Sequence, residues 1–356
     1  MTTSSSFDAS ESLRTDLNQL LDQLPQTKHG ELIQLALTTL VRMTEDEIDR
    51  LDWKILNASL QDMERAFKIL YPYRHVRKIS IFGSARIPSS APEYQMAADF
   101  ARRVADLGFM VITGAGPGIM QAGNEGAGRD QSIGLGIQLP FEKGSNPFIE
   151  GDPKLIPFKY FFTRKLFFLR ESDALALFPG GFGTLDEAFE CLTLCQTGKS
   201  LPIPLVLIDR PGGDYWHDWL EYVQKQLLKR GLVSVDDFSL FTITDQLDEA
   251  CEIITLFYSA FHSCRYVGNR LVMRLNIDIS DEAVAHLNHN FSNILVKGQI
   301  EKSHALPQEA QDMSIGKSRL LLHFNQRDLG RLYQMINEIN RLGIEPSEDV
   351  PHPELK

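Results

Sequence analysis

The residues best suited to chemistry in this 356-residue chain form a carboxylate, an arginine and a set of glycine turns. The run Pro179-Gly180-Gly181-Phe182-Gly183-Thr184-Leu185-Asp186-Glu187 follows an apolar stretch, Ala174 to Phe178, that reads as a buried strand. Gly180 and Gly181 permit a tight turn, and Gly183-Thr184 then opens a helix. The first N–H groups of a helix have no intrahelical partner, and the helix dipole favours an anion beside them. Strand, turn and helix start thus read as a phosphate cradle. Thr184-x-x-Glu187 is equally a capping box, which satisfies the same donors without a ligand. Upstream, Phe162-Thr163-Arg164-Lys165 puts two cations into a first helical turn, where the dipole prefers carboxylates. A bound phosphate or a paired carboxylate would turn that opposition into a use. Glu187 follows Arg164 by 23 residues, enough for a helix, a strand and a turn.

Two further glycine turns close strands: Gly83-Ser84-Ala85-Arg86, and Gly114-Ala115-Gly116-Pro117-Gly118, with Pro117 suited to the first position of the next helix. The second is not a dinucleotide fingerprint, because after Gly114 and Gly116 Ile119 stands where the third glycine belongs. Gly198-Lys199-Ser200 and Gly316-Lys317-Ser318 lack the leading glycine of a P-loop, with Thr193 and Gln311 in its place. There is no G-x-S-x-G nucleophile elbow. His286-x-x-His289 has no third-ligand pattern and reads as structural; Cys191 and Cys195 share a helix face and read as buried thiols.

These turns need a frame. Strands are expected at 79–82, 109–113, 133–139, 175–178, 205–208 and 238–243, with helices between, including one near 93–107. That alternation predicts an α/β fold, a doubly wound parallel, Rossmann-like sheet whose sites lie beyond the carboxyl ends of its strands. Ahead of it, residues 1–10 read as disordered and 11–71 as a helical segment. Its first helix carries Leu13 to Leu24 and a second stripe runs from Leu32 to Leu40. Thr44-x-x-Glu47 caps a third helix with Ile48, Leu51, Ile55, Leu60, Met63 and Phe67. The core spans 72–264. Residues 265–345 read as a small α+β module of ferredoxin-like or ACT-like character, with strands at 271–277 and 319–324 and a further one at 299–305. Its helices run over 280–295 and 328–342, and 346–356 is a loose tail. The flanking segments are expected to assemble subunits, as a homodimer or higher homo-oligomer, or to bind a regulator.

Composition sets bounds. Hydrophobic residues make up 43% and support a full core. A net charge of −11 argues against nucleic acid as a partner. Four cysteines suggest no disulfide framework, and no apolar run reaches membrane-spanning length. The expected setting is the cytoplasm, without membrane contact.

The motif Pro-Gly-Gly-x-Gly-Thr-x-x-Glu resembles the signature of the Lonely guy (LOG) family of nucleoside 5'-monophosphate phosphoribohydrolases, often mislabelled as lysine decarboxylases. It is complete at Pro179, Gly180, Gly181, Gly183, Thr184 and Glu187. The resemblance covers about residues 77–260. It implies Arg164 and Glu187 as the catalytic pair, supported by Lys165 and Thr184. It makes Gly83-Ser84 the first-strand turn and Gly114, Gly116, Gly118 and Met120 the second phosphate loop. The implied activity is hydrolysis of the N-glycosidic bond of a nucleoside 5'-monophosphate, giving free base and ribose 5-phosphate, with no metal or redox cofactor needed. The chain departs from the family at Phe161-Phe162, where many members have Met-His, and at Gly-Ala-Gly-Pro-Gly, where Gly-Gly-Gly is commoner. The base recognised could therefore differ from a cytokinin. The alternative is a non-catalytic nucleotide or molybdenum-cofactor carrier of the same superfamily, which would keep the loops without needing the Arg–Glu pair. A pyridoxal-phosphate decarboxylase has no Schiff-base lysine context here.

Overall fold

The computed structural model describes residues 27–44, 46–139, 144–310 and 314–344, with the single positions Gln19 and Gln23. The expected disordered start and loose tail lie outside these residues, as does nearly all of the helix expected over Leu13 to Leu24. The chain divides into two compact units, 1–61 and 62–356.

The first unit holds α1 (Gly30–Met43) and the opening of α2 (Arg50–Leu70). Thr44 does not cap α2. It closes α1, its hydroxyl donating to the Val41 carbonyl at 2.7 Å. The amides of Asp52 and Trp53 bond instead to the Asp49 carbonyl, so α2 starts at Arg50. The stripe expected on α2 is also displaced: Leu51, Leu60 and Phe67 are exposed, and the buried positions are Ala58, Ser59, Asp62, Ala66 and Leu70.

The second unit is built on seven parallel strands: β1 (Lys78–Phe82), β2 (Met110–Thr113), β3 (Ser132–Ile137), β4 (Leu155–Phe158), β5 (Ala174–Leu177), β6 (Leu205–Ile208) and β7 (Thr242–Thr244). Their order is β4-β3-β2-β1-β5-β6-β7, as expected for a doubly wound α/β sheet. From β1 the chain winds outward to β4, then returns to β5 and winds the other way. The β1–β5 pair, in register from Ile79 with Ala174 to Phe82 with Leu177, is the switch point.

Successive side chains of a strand point to opposite faces, so each strand feeds two cores. Ile79, Ile81, Val111, Ala174, Ala176, Val206 and Ile208 pack with α3 (Pro92–Asp106), α4 (Ile119–Ala127) and α8 (Leu247–Leu256). Ile112, Ile133, Leu135, Leu175, Leu177, Leu205 and Leu207 face α5 (Phe161–Glu171), α6 (Phe182–Gln196) and α7 (Tyr215–Tyr222). Two sequence expectations need correction. β4 was unforeseen, since Pro157 demotes a strand reading and is tolerated here at the sheet edge. The strand expected over 238–243 is a 3₁₀ turn, Asp236–Leu240, followed by the short β7.

The remaining residues form a four-stranded antiparallel sheet of order β10-β11-β9-β8, with β8 (Phe261–Val267), β9 (Arg270–Leu275), β10 (Leu295–Ser303) and β11 (Ser318–Phe324). β9, α9 (Asp281–Phe291) and β10 make a split β-α-β with β11 between its strands. β8, absent from the sequence reading, adds the outer edge. Ser280 caps α9 as expected, accepting from the Ala283 amide. The last helix, α10 (Leu329–Ile344), returns to the parallel sheet. Tyr333 Oη accepts from the Ile203 amide at 3.0 Å and lies 3.1 Å from its carbonyl. Asn340 Oδ1 accepts from the Ala260 and Phe261 amides. One continuous core joins the two sheets on this side, running from Leu175 and Leu205 to Met273, Leu320 and Ile336.

Candidate active site

The carboxyl ends of β1, β2 and β5 carry the three glycine turns, and these pack on one another. The Ser84 amide donates to the Pro179 carbonyl and the Ile119 amide to the Ser84 carbonyl, both at 3.1 Å. Contact is too close for side chains in each of the three turns, where a β-carbon at Gly83 would already lie 2.6 Å from Ile119. A β-carbon at Gly118 would lie 2.3 Å from the Ser84 oxygen, and one at Gly180 only 2.1 Å from Thr184 Oγ1. Gly118 also takes φ 67°, the left-handed region natural to glycine. Gly181 and Gly183 face open space.

Gly118 is the cap of α4, so Pro117 lies just outside the helix and not at its first position. The sulfur and terminal methyl of Met120 lie over Gly114 and Gly116, within 2.7 and 2.6 Å of where β-carbons would stand. Between those glycines Ala115 holds φ 61°, which a β-carbon disfavours. The neighbourhood fixes it there: its amide donates to Thr113 Oγ1 and its carbonyl accepts from the Asn146 amide. Asn146 Nδ2 also donates to the Gly116 carbonyl and to Asn124 Oδ1. Asn124 and Asn146 thus brace the second loop, although neither stood out in the sequence. The one visible signal is a buried asparagine inside the apolar α4.

Helix α6 starts at Phe182, with Gly181 as its cap and no side chain bonded to its open amides. The capping box therefore does not form. Thr184 lies a turn inside the helix, its hydroxyl under Gly180, and Glu187 does not reach back to the cap. Glu187 is 6% exposed, and burial pushes its carboxyl up to about 7. The charges of Lys165 and Arg164 oppose that rise, while Glu190 and Asp186 add to it.

Arg164 closes the first turn of α5, and Lys165, expected in that turn, opens the second. The Arg164 guanidinium sits 5.0 Å from the Phe161 ring centre and 5.5 Å from that of Phe168. Its Nη1 is 3.7 Å from where a β-carbon on Gly114 would lie, which brings it to the second loop. Lys165 Nζ pairs with Asp186 Oδ2 at 2.7 Å and Glu190 Oε2 at 2.9 Å. Burial works against this ammonium, but the hydrogen bonds to Asp186 and Glu190 outweigh it and hold its pKa above the ordinary lysine value. These two carboxylates flank Glu187 on α6 and supply the pairing that the cationic helix start called for. Tyr215, also outside the sequence reading, donates from Oη to the Gly180 carbonyl at 2.6 Å and steadies the turn.

Elsewhere, Cys191 and Cys195 are buried and free, with their sulfurs 3.9 Å apart. His286 pairs with Glu338 at 2.5 Å, while His289 is exposed. Among the described residues no helix is long and apolar enough to cross a membrane.

Residues 120–254 match the family model described as "Possible lysine decarboxylase". The match takes in Met120, both helices of the cationic and acidic groups, and the glycine turn between them. Solved structures similar to this chain include the protein TM1055, with 21% identity and a TM-score of 0.36 over 50% of this chain and 98% of that one. The molybdenum cofactor binding protein of Rippkaea orientalis has 19% identity and a TM-score of 0.35 over 51% and 96%. The molybdenum cofactor carrier protein of Chlamydomonas reinhardtii has 18% and 0.34 over 51% and 97%. No curated protein matches the chain significantly.

Proposed function

We propose that this chain is a nucleotide phosphoribohydrolase, which cleaves the N-glycosidic bond of a nucleoside 5'-monophosphate to free base and ribose 5-phosphate. The observation that carries the reading is Glu187, a buried carboxyl on the helix that leaves the Gly180–Gly183 turn, balanced near neutrality by the charges of Lys165 and Arg164. Burying a carboxylate without hydrogen bonds opposes folding, so its place here asks for a chemical use.

In this reading the 5'-phosphate lies on the open amides at the start of α6, beside Gly181 and Gly183, and aligns the sugar. As the bond between C1' and the base nitrogen breaks, its electron pair leaves with the base and C1' becomes oxocarbenium-like. Ionised Glu187 stabilises that charge, holds the ribose hydroxyls or accepts a proton from the attacking water. The water oxygen bonds to C1', and the released proton ends on the departing base. Arg164 hydrogen-bonds that base or clamps the substrate as negative charge gathers there. Lys165, tied to Asp186 and Glu190, keeps positive charge beside Glu187.

The test is the purified protein against a panel of nucleoside 5'-monophosphates, with released bases separated by chromatography. Cleavage of at least one, with kcat/KM far above that of its nucleoside, is the expected result. Equal kcat/KM for AMP and adenosine would overturn the phosphate cradle. Tight binding of nucleotides with no release of base from any would favour the carrier alternative.

A further inference from the structure

Helix α5 starts without an acidic residue in its first turn and without a cap of its own, although the cations Arg164 and Lys165 are its fourth and fifth residues. The missing acid arrives from another helix. Asp62, in the fourth turn of α2 and 3% exposed, places one oxygen at this helix start. Its Oδ2 accepts from the Lys159 amide at 2.9 Å, the Tyr160 amide at 3.4 Å and the Thr163 hydroxyl at 2.9 Å. Arg65, one turn on, lies 3.9 Å from Asp62 Oδ1 and donates to the Pro157 carbonyl at 2.6 Å. Acid and base from α2 therefore grip both the end of β4 and the first turn of α5. Asp62 shares its buried face with Ala66 and Leu70, at helical spacing, where an apolar residue would otherwise serve. A carboxylate at a helix N-terminus also offsets the cations that oppose the dipole there. Thr163, fully buried and gripped by Asp62, is the residue immediately before Arg164.

We propose that Asp62 is a positioning residue, which fixes the first turn of α5 and through it sets where the Arg164 guanidinium stands. The proposal rests on the hydrolase reading for its kinetic consequence, but the placement of Arg164 is measurable without it. Asp62→Asn keeps the size and one acceptor oxygen and removes the charge; Asp62→Ala removes both. Thr163→Val breaks one contact and leaves Asp62 in place. Each is assayed for kcat and KM on the cleaved nucleotide, and for the position and exchange of the Arg164 side-chain signal in labelled protein by NMR.

Asp62→Ala should lower kcat by about ten- to a hundredfold, the scale of a displacement near 1 Å at a catalytic group, with KM changed far less. Asp62→Asn should fall between Asp62→Ala and the parent, and all three variants should shift the Arg164 signal. Adding Asp62→Ala to Arg164→Ala should cost no further activity, because the first acts only through the second. A double variant that falls by the product of the two single losses would overturn the proposal, as would an unmoved Arg164 signal in a folded variant. If the parent cleaves no nucleotide, the hydrolase reading fails and the Arg164 signal alone decides. Should Asp62→Ala fail to fold, Asp62→Asn and Thr163→Val carry the same comparison.

Discussion

Replacing Glu187 with glutamine should make the folded protein more stable while removing its activity, and the gain should appear only as pH rises. In the native chain burial carries this carboxyl from 4.5 to about 7. Below pH 4.5 it is protonated whether the chain is folded or not, and parent and variant should differ little. From there upward the unfolded chain ionises first, so the parent loses stability through the window up to about pH 7 and levels off above it. At about 1.4 kcal/mol per pH unit, the full difference is on the order of 3 kcal/mol. Glutamine keeps the shape, does not titrate and escapes this penalty. In melting temperature the gain is roughly 5 °C for a unit of this size. Thermal unfolding of both proteins, scanned from about pH 4.5 to about pH 8, is the assay, since other groups cancel in the difference. Base release from the cleaved nucleotide should meanwhile fall by roughly a hundredfold or more. A stability difference that stays flat with pH would refute the buried-carboxyl reasoning. A variant less stable at every pH would mean that Glu187 serves the helix end after all.

Lys165→Met removes a positive charge beside Glu187 and should push that carboxyl higher still, so the acidic limb of the pH–rate profile should move to higher pH. Gly118→Ala forces a β-carbon onto the Ser84 oxygen at a left-handed φ and should destabilise by roughly 2–3 kcal/mol in chemical unfolding, with loss of activity. Tyr333→Phe leaves the buried Ile203 amide without its acceptor and should lower stability by about 1–2 kcal/mol without changing KM. A chain ending at Cys264 strips Met273, Leu320, Tyr333 and Ile336 from the shared core, and should aggregate or bind hydrophobic dyes where the full chain does not.

Much of the frame was legible because a doubly wound sheet writes itself as apolar runs closed by glycine turns. β4 escaped because an edge strand tolerates Pro157, which a central strand would not. The 236–244 stretch misled because its apolar residues belong partly to a 3₁₀ turn that buries Leu240 without joining the sheet. At the site, the glycine motif and the Arg-Lys pair stood out by local spacing. Their partners did not, since Asp62 and Thr163 are 101 residues apart and Asn146 and Gly116 are 30 apart. No local pattern joins such pairs. The capping box failed for a different reason. Helix α6 begins two residues before Thr184, which leaves its first amides open and Glu187 inside the fold.

The return of α10 to the parallel sheet has a consequence for how the protein is made. The seventh strand of the sheet ends at Thr244, and α10 does not begin until Leu329, 85 residues later. At synthesis rates of about 5–20 residues per second, the ribosome takes roughly 4–17 s to cover that distance. For that interval the nascent chain has every strand of the large sheet, while the part of the shared core supplied by Met273, Leu320, Tyr333 and Ile336 is still to come. A core left incomplete for seconds is a natural stop for a chaperone and a hazard on crowded polysomes. Synonymous codons that slow translation between residues 245 and 328 should therefore lower soluble yield, even though the finished polypeptide is unchanged.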